Sequence, residues 1–331
     1  MIEKILVIHP NFPKTGTTSF QNLLKSININ ILAKPTIDQT KTIWFKFLKE
    51  SLYPANQFSG RIDQYNFLNL KKDFKNYLKE FFKNQKKISV LSDEGLLGRF
   101  DSVLGFYNLN ILKGVIEEIE KELNIKMVIK VVLTIREQHD LILSTYFHNS
   151  IHFSKDLTLE IFLKRFTQSK DYENIFNYTH YIKKIKKIFN SEVLILPLEL
   201  MERNPEIYID KFCKFIEINE AFSGKMLNLN NNHILIDAEK RYFELKWNSA
   251  LLFKLGSIIH TSLKKIKMYD KNFKNSSVLN NIYYSIKPKK NKKVTSQDQN
   301  FYKKEIKELY KDSNIELEKT TDLNLKELGY Y

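Results

Sequence analysis

A chain of 331 residues, 43% hydrophobic and 13% aromatic, can close one large core or two modest ones, and its 9 glycines and 7 prolines exclude a fibrous repeat or a disordered tract. No apolar run approaches the ~18 residues that cross a bilayer, the run after Lys4 is too short for a signal peptide, and one cysteine, Cys213, cannot form an internal disulfide, so a cytoplasmic protein of a reducing compartment is expected. The net charge of +15 favours anionic partners in principle. Most of it is accounted for by lysines opposite apolar helix faces, as in YIKKIKKIF at 181–189, where Ile182, Ile185 and Phe189 share a side. No helix-turn-helix, zinc-finger or RNA-recognition pattern occurs, so nucleic acid is not expected as a partner, while peripheral contact with a membrane is left open.

In chain order, residues 4–9 have the length and β-branched content of a buried strand. Pro10 and Pro13 end it, Gly16 permits a tight turn, and Thr17 to Leu24 return to helical spacing with Phe20, Leu23 and Leu24 on one side. Residues 34–70, with Trp44, Phe45, Phe47 and Tyr53, show no clean period, and their place between two strands suggests part of the wall of a ligand site. Further strands are expected at 88–92, 127–135 and 192–196, and helices at 71–83, 109–123, 157–166, 204–217, 238–264 and 300–318. The lysine-rich KPKKNKK at 287–293 reads as a solvated loop, with an anion-binding lid as the alternative. Strands alternating with helices predict an α/β fold: a mainly parallel sheet flanked by helices, with a helix-rich C-terminal half. One domain over 1–331 is expected, with the core sheet within about 1–200 and a helical continuation beyond. Ligands of such sheets bind at the carboxyl ends of strands, which selects 10–18, 93–95, 136–137 and 197–199.

The first of these stretches carries the strongest signal. A strand, a glycine turn and a helix start together present unpartnered amides to an anion. The nucleotide loop of ATP and GTP enzymes needs G-x-x-x-x-G-K-[ST], whereas here Lys14 precedes Gly16 and no glycine lies five residues upstream. The strand ISVLSDE, ending in Asp93 and Glu94, does have the form that holds magnesium in those enzymes.

PKTGTTSFQNLL resembles instead the 5′-phosphosulfate loop, P-K-[ST]-G-T-[TS], of the sulfotransferases that use 3′-phosphoadenosine 5′-phosphosulfate (PAPS). That family's second motif is a strand ending in arginine with a serine eight residues on, and VVLTIREQHDLILSTYFHN supplies Arg136 and Ser144, then Tyr146 and Phe147. VLILPLELMERNPEIYIDKFCKFI is similar to the family's later strand, acidic residue and helix, and LYKDSNIELEKTTDLNLKELGYY to the ending of many bacterial members. The resemblance implies a bacterial enzyme with a P-loop-type sulfotransferase fold. It also implies PAPS as donor, adenosine 3′,5′-bisphosphate as product, and no metal.

The residue types suit that chemistry. A doubly phosphorylated donor needs two anion sites. Lys14, Thr15, Gly16, Thr17, Thr18 and Ser19 are candidates for the 5′-phosphate through amides and hydroxyls, and Arg136 and Ser144 for the 3′-phosphate through a two-pronged guanidinium and a hydroxyl. Lys14 is the candidate for the charge that builds on the bridging oxygen. Glu94, after strand 88–92, is the first candidate for the general base, and His9 the second, although a histidine there equally reads as a buried, hydrogen-bonded core residue. No histidine pair stands beside cysteines at ligand spacing, so no metal site is expected. The acceptor is expected to be a hydroxyl on a carbohydrate. The rival readings are a magnesium-dependent kinase using Asp93 and Glu94, and a non-catalytic protein that binds a nucleotide or polyanion.

Overall fold

All four expected strands lie in one sheet, joined by a short fifth. The computed structural model describes residues 2–26, 29–33, 64–83, 87–97, 105–149, 159–168, 176–218, 243–246, 289–293 and 296–331. Strands β1 (Ile2–Pro10), β2 (Asn30–Ala33), β3 (Ile88–Asp93), β4 (Ile125–Ile135) and β5 (Val193–Pro197) are all parallel, in the order β2-β3-β1-β4-β5. β1 is the middle strand, so Ile5 to Pro10 are buried and Ile5 to Ile8 read as a continuous apolar run. Its register is Ile5↔Ile88 to Pro10↔Asp93 on one side and Ile2↔Ile125 to Ile8↔Val131 on the other. From β1 the chain passes to the β2 edge, returns to β3, then crosses to β4 and β5. The direction of winding therefore reverses across β1 and β4, which opens a crevice beyond their carboxyl ends.

Helices cover both faces of the sheet. On one face α1 (Thr17–Ser26), α7 (Leu198–Arg203) and α8 (Pro205–Phe215) share a core with β1, β3, β4 and β5: Phe20, Leu24 and Phe212 lie fully buried among Ile5, Val7, Val90, Val132 and Leu196. Burying a side chain of that size stabilises the fold by about 1.5–3 kcal/mol. The Phe20 and Phe212 rings meet edge to face at 4.9 Å. Cys213 sits in the same cluster as a packed thiol whose pKa burial pushes up to about 11.

Elsewhere in the sheet unit, α2 (Gln64–Lys83), α3 (Gly105–Leu123) and α6 (Tyr178–Phe189) pack in series, and α6 also meets β5. α6 buries Ile182, Ile185 and Phe189 and exposes Lys183, Lys186 and Lys187, as the spacing predicts, so this part of the positive charge is a solvated helix face. The Asn177 side chain caps its start by accepting from His180 N, and left-handed Asn190 ends it. Between α2 and α3, Lys71 and Lys75 pair with Glu118, and Lys75 and Lys79 with Glu122.

The chain divides into two compact units, one of Met1–Gln138, Asn174–Ala238 and Tyr310–Tyr331, the other of His139–Glu173 and Glu239–Leu309. The first holds the sheet. In the second lie most of α4 (Gln138–Asn149), α5 (Leu159–Gln168), β6 (Phe243–Lys246), β7 (Lys289–Lys293) and the first part of α9 (Ser296–Lys319). There the Tyr146 and Phe162 rings lie 5.2 Å apart, and Lys164 pairs with Glu160 one turn away. A short α10 (Leu325–Leu328) follows α9 in the first unit.

Two expectations are corrected in this second unit. Residues 243–246, inside the expected helix 238–264, form a strand, and the expected loop at 289–293 is its antiparallel partner, paired from Phe243↔Lys293 to Lys246↔Lys289 with an irregularity at Glu244 and Leu245. Phe243-Glu244-Leu245-Lys246 alternates apolar and polar, a period of two that the longer helical window concealed. The lysine-rich partner needs no apolar spacing because the ladder is made by backbone groups. The rest of 238–264, the stretch 34–63 with Trp44 and Tyr53, and residues 287–288 lie outside the described residues. Among the described residues no helix is long and apolar enough to cross a membrane.

Candidate active site

The loop that leaves β1 is shaped by two left-handed residues. Lys14 has φ +70° and Gly16 has φ +84°. Glycine adopts such a backbone freely, while lysine is strained there by ~1–2 kcal/mol. Gly16 is required twice over, because a Cβ at this position would lie 2.7 Å from Leu198 Cδ1, at the start of α7. The first intrahelical bond of α1 runs from Phe20 N to Gly16 O at 3.0 Å, so the amides of Thr17, Thr18 and Ser19 belong to the opening turn that helix geometry leaves without internal acceptors. That turn holds no acidic residue, and Thr18 and Ser19 are exposed. Curled backbone plus a bare helix start is an anion cradle.

A buried polar network supports the loop from below. Thr15 donates its hydroxyl to Phe12 O at 2.8 Å, so that hydroxyl holds the loop and only the Thr15 amide can face a ligand. Asn11, fully buried, accepts from Thr134 N through Oδ1 at 3.0 Å, and this fixes the orientation of its amide. Its Nδ2 then donates towards Thr134 Oγ1, Thr17 Oγ1 and His9 Nε2. Because His9 Nε2 accepts, its proton sits on Nδ1 and is donated to Ser92 Oγ at 2.7 Å. Gln21 Nε2 donates to the same Ser92 hydroxyl at 3.0 Å. Burial lowers the His9 pKa to about 3. His9 is therefore neutral, occupied on both nitrogens and packed 4.4 Å from the Phe20 ring. This geometry is that of the buried, hydrogen-bonded core histidine.

The second element is the turn after β4. Register brings the two turns near one another: Ile8 pairs with Val131, β1 ends two residues later at Pro10, and β4 ends at Ile135, just before Arg136. The Arg136 side chain is buried, and Nη1 donates to Lys14 O at 3.3 Å. The Tyr178 hydroxyl donates to Arg136 O at 2.5 Å. Glu137 N donates to Glu199 Oε1 at 2.9 Å, and the Tyr330 hydroxyl to Glu199 Oε2 at 2.9 Å. Burial pushes the Glu199 pKa up to about 7, against the opposing pull of these bonds and of the Arg136 charge. Gln138 and Asn314 exchange two amide hydrogen bonds of 2.9 and 3.1 Å, and Asn314 also donates to Tyr330 O.

Lys14, Thr15, Gly16, Thr17, Thr18, Ser19 and Arg136 thus lie together in the sheet unit. Glu94 belongs to it too: it is half-buried and opens the short 3-10 turn after Asp93, the residue that pairs with Pro10. Asp93 turns its carboxylate onto Gly95 N at 2.7 Å. Ser144 is half-buried on α4 and belongs to the second unit. Phe147, expected beside it, lies outside the residues whose side chains are described. Asn11 and Tyr178 carry no sequence signal for these contacts, while Glu199 and Tyr330 stand out in the sequence only within the later strand-and-helix stretch and the chain ending that resemble the sulfotransferases. Asn11 is marked only by its place between two prolines at the end of a strand.

No family model matches the chain, and no curated protein matches its sequence. Among solved structures, the sulfotransferase domain of the Synechococcus PCC 7002 olefin synthase is similar over 81% of this chain and 95% of its own length, at 9% identity and a TM-score of 0.37. An overlap of that degree assigns no role to any residue here.

Proposed function

We propose that this protein transfers a sulfuryl group from PAPS to a hydroxyl on a carbohydrate, the acceptor expected from its resemblance to bacterial sulfotransferases. The observation that carries the proposal is the 3.3 Å bond from Arg136 Nη1 to Lys14 O, which joins a bare helix start and a buried guanidinium beyond the carboxyl ends of β1 and β4. Two phosphates on one adenosine need two such groups side by side.

In this reading the amides around Gly16 hold the 5′-phosphate and Arg136 grips the 3′-phosphate. The acceptor oxygen attacks sulfur in line as the bond from sulfur to the bridging oxygen breaks. The acceptor's proton passes to Glu94, and adenosine 3′,5′-bisphosphate leaves. Lys14 neutralises the charge that develops on the bridging oxygen, and positioning does much of the rest. A sulfuryl group carries less charge than a phosphoryl group, so the scheme uses no metal.

The test is turnover of labelled PAPS against a panel of sugars in the presence of a metal chelator. Labelled, sulfated sugar is the expected product. Transfer from ATP that stops on chelation would replace the proposal with the kinase, and nucleotide binding without transfer from either donor would leave a binding protein.

A further inference from the structure

The turn at residues 136–138 is held at every residue by a group distant in the chain. Tyr178 bonds the carbonyl of Arg136, Glu199 takes the amide of Glu137, and Asn314 pairs with the side chain of Gln138. Two of these supports are tied together in turn, since Tyr330 donates its hydroxyl to Glu199 and its carbonyl accepts from Asn314. Tyr178, Tyr330 and Asn314 are all fully buried. Apolar packing alone could brace a turn, yet this brace includes a carboxylate that burial penalises, standing beside the Arg136 charge. A carboxylate kept in such a place does something packing cannot: it fixes a backbone amide and sets the field around the guanidinium.

We infer that Glu199 and Tyr330 are positioning residues that aim Arg136 at the second phosphate of the nucleotide. The inference rests on the sulfuryl-transfer reading, in which Arg136 meets the 3′-phosphate. Tyr330 closes the brace on Glu199, Glu199 holds the Glu137 amide, and that amide sets the direction in which the preceding residue leaves β4. Neither side chain touches the ligand. Their loss is therefore felt only by a nucleotide that carries the phosphate Arg136 grips.

Calorimetric titration with two nucleotides tests this. Adenosine 3′,5′-bisphosphate has both phosphates, and adenosine 5′-monophosphate has only the one assigned to the loop. Tyr330→Phe keeps the buried ring and removes one hydroxyl, and is expected to weaken the bisphosphate about tenfold while leaving the monophosphate within about twofold. Glu199→Ala removes both bonds and is expected to cost the bisphosphate more than tenfold. Glu199→Gln still offers an oxygen to Glu137 N and an N–H to the Tyr330 oxygen, and should restore most of the difference. Equal weakening of both nucleotides by Tyr330→Phe would reduce the brace to a general structural support and overturn the inference. So would a variant that binds both as the natural protein does. If Glu199→Ala fails to fold, Tyr330→Phe still decides. A natural protein that does not favour the bisphosphate over the monophosphate instead defeats the sulfuryl-transfer reading, and the inference with it.

Discussion

Gly16→Ala tests the loop without assuming any reaction. The substitution meets two separate obstacles. A Cβ at φ +84° costs ~1–2 kcal/mol from its own backbone, and a Cβ placed 2.7 Å from Leu198 Cδ1 adds an overpacking cost of roughly 1–3 kcal/mol, at the lower end if that methyl can rotate aside. The expected loss is thus about 2–5 kcal/mol. Leu198→Ala separates the two, because it removes the methyl and leaves the backbone cost untouched. In a four-protein cycle followed by urea unfolding, the double variant should be more stable than the sum of the single losses predicts, by about 1–3 kcal/mol. Nucleotide affinity should not recover with it, since residue 16 is still forced from its left-handed angle. Losses that add to within ~0.5 kcal/mol would show that the α7 contact does not shape the loop. A Gly16→Ala loss smaller than that would show the left-handed turn itself to be dispensable.

Lys14 should separate activity from stability: Lys14→Ala is expected to lower PAPS turnover roughly 10²–10³-fold, as loss of one charge stabiliser does. Lys14→Gly should be equally inactive yet no less stable in urea, because glycine relieves strain at φ +70°; a clearly less stable Lys14→Gly would contradict the strain argument. The pH dependence of stability follows from two buried groups. Glu199, raised from 4.5 to about 7, keeps in the folded state a proton that the unfolded chain releases, so its contribution falls as pH rises between those values. His9, lowered from 6.5 to about 3, stays neutral while the unfolded chain gains a proton, so its contribution falls as pH drops from 6.5. The slopes, each at most ~1.4 kcal/mol per pH unit, oppose one another where the windows overlap. Glu199→Gln should therefore expose a steeper loss on mild acidification, read as urea midpoints across a pH series, and an unchanged profile would refute the assignment. The Cys213 thiol, buried and with its pKa pushed to about 11, should react with iodoacetamide only after denaturation; rapid labelling of the folded protein would contradict its packing.

What the sequence disclosed followed from local periodicity. Ile5 to Ile8 announced a strand, Gly16 announced a turn, and Ile182, Ile185 and Phe189 announced the buried side of α6, because neighbours along the chain determine each of these. The place of Arg136 was legible because a residue that directly follows a strand stands at the carboxyl end of the sheet whatever the rest of the fold does. β2 was not, since four residues give no period, and β6 was hidden inside a longer window. The brace around Arg136 was out of reach for a different reason. Tyr330 and Glu199 are 131 positions apart, and Gln138 and Asn314 are 176 apart. Such pairs exist only once the tertiary structure brings them together. His9 remained ambiguous until Asn11 and Ser92 were seen to occupy both of its nitrogens.

The pairing of Ile8 with Val131 has one further consequence. β4 works as a ruler, and its length from that rung decides where the guanidinium stands. Adding or deleting a single residue between Val131 and Ile135 would shift Arg136 by ~3.3 Å and turn it to the opposite side of the pleat. If Arg136 meets the second phosphate as proposed, a change in strand length that keeps every candidate side chain would disarm the proposed site as thoroughly as loss of the arginine itself.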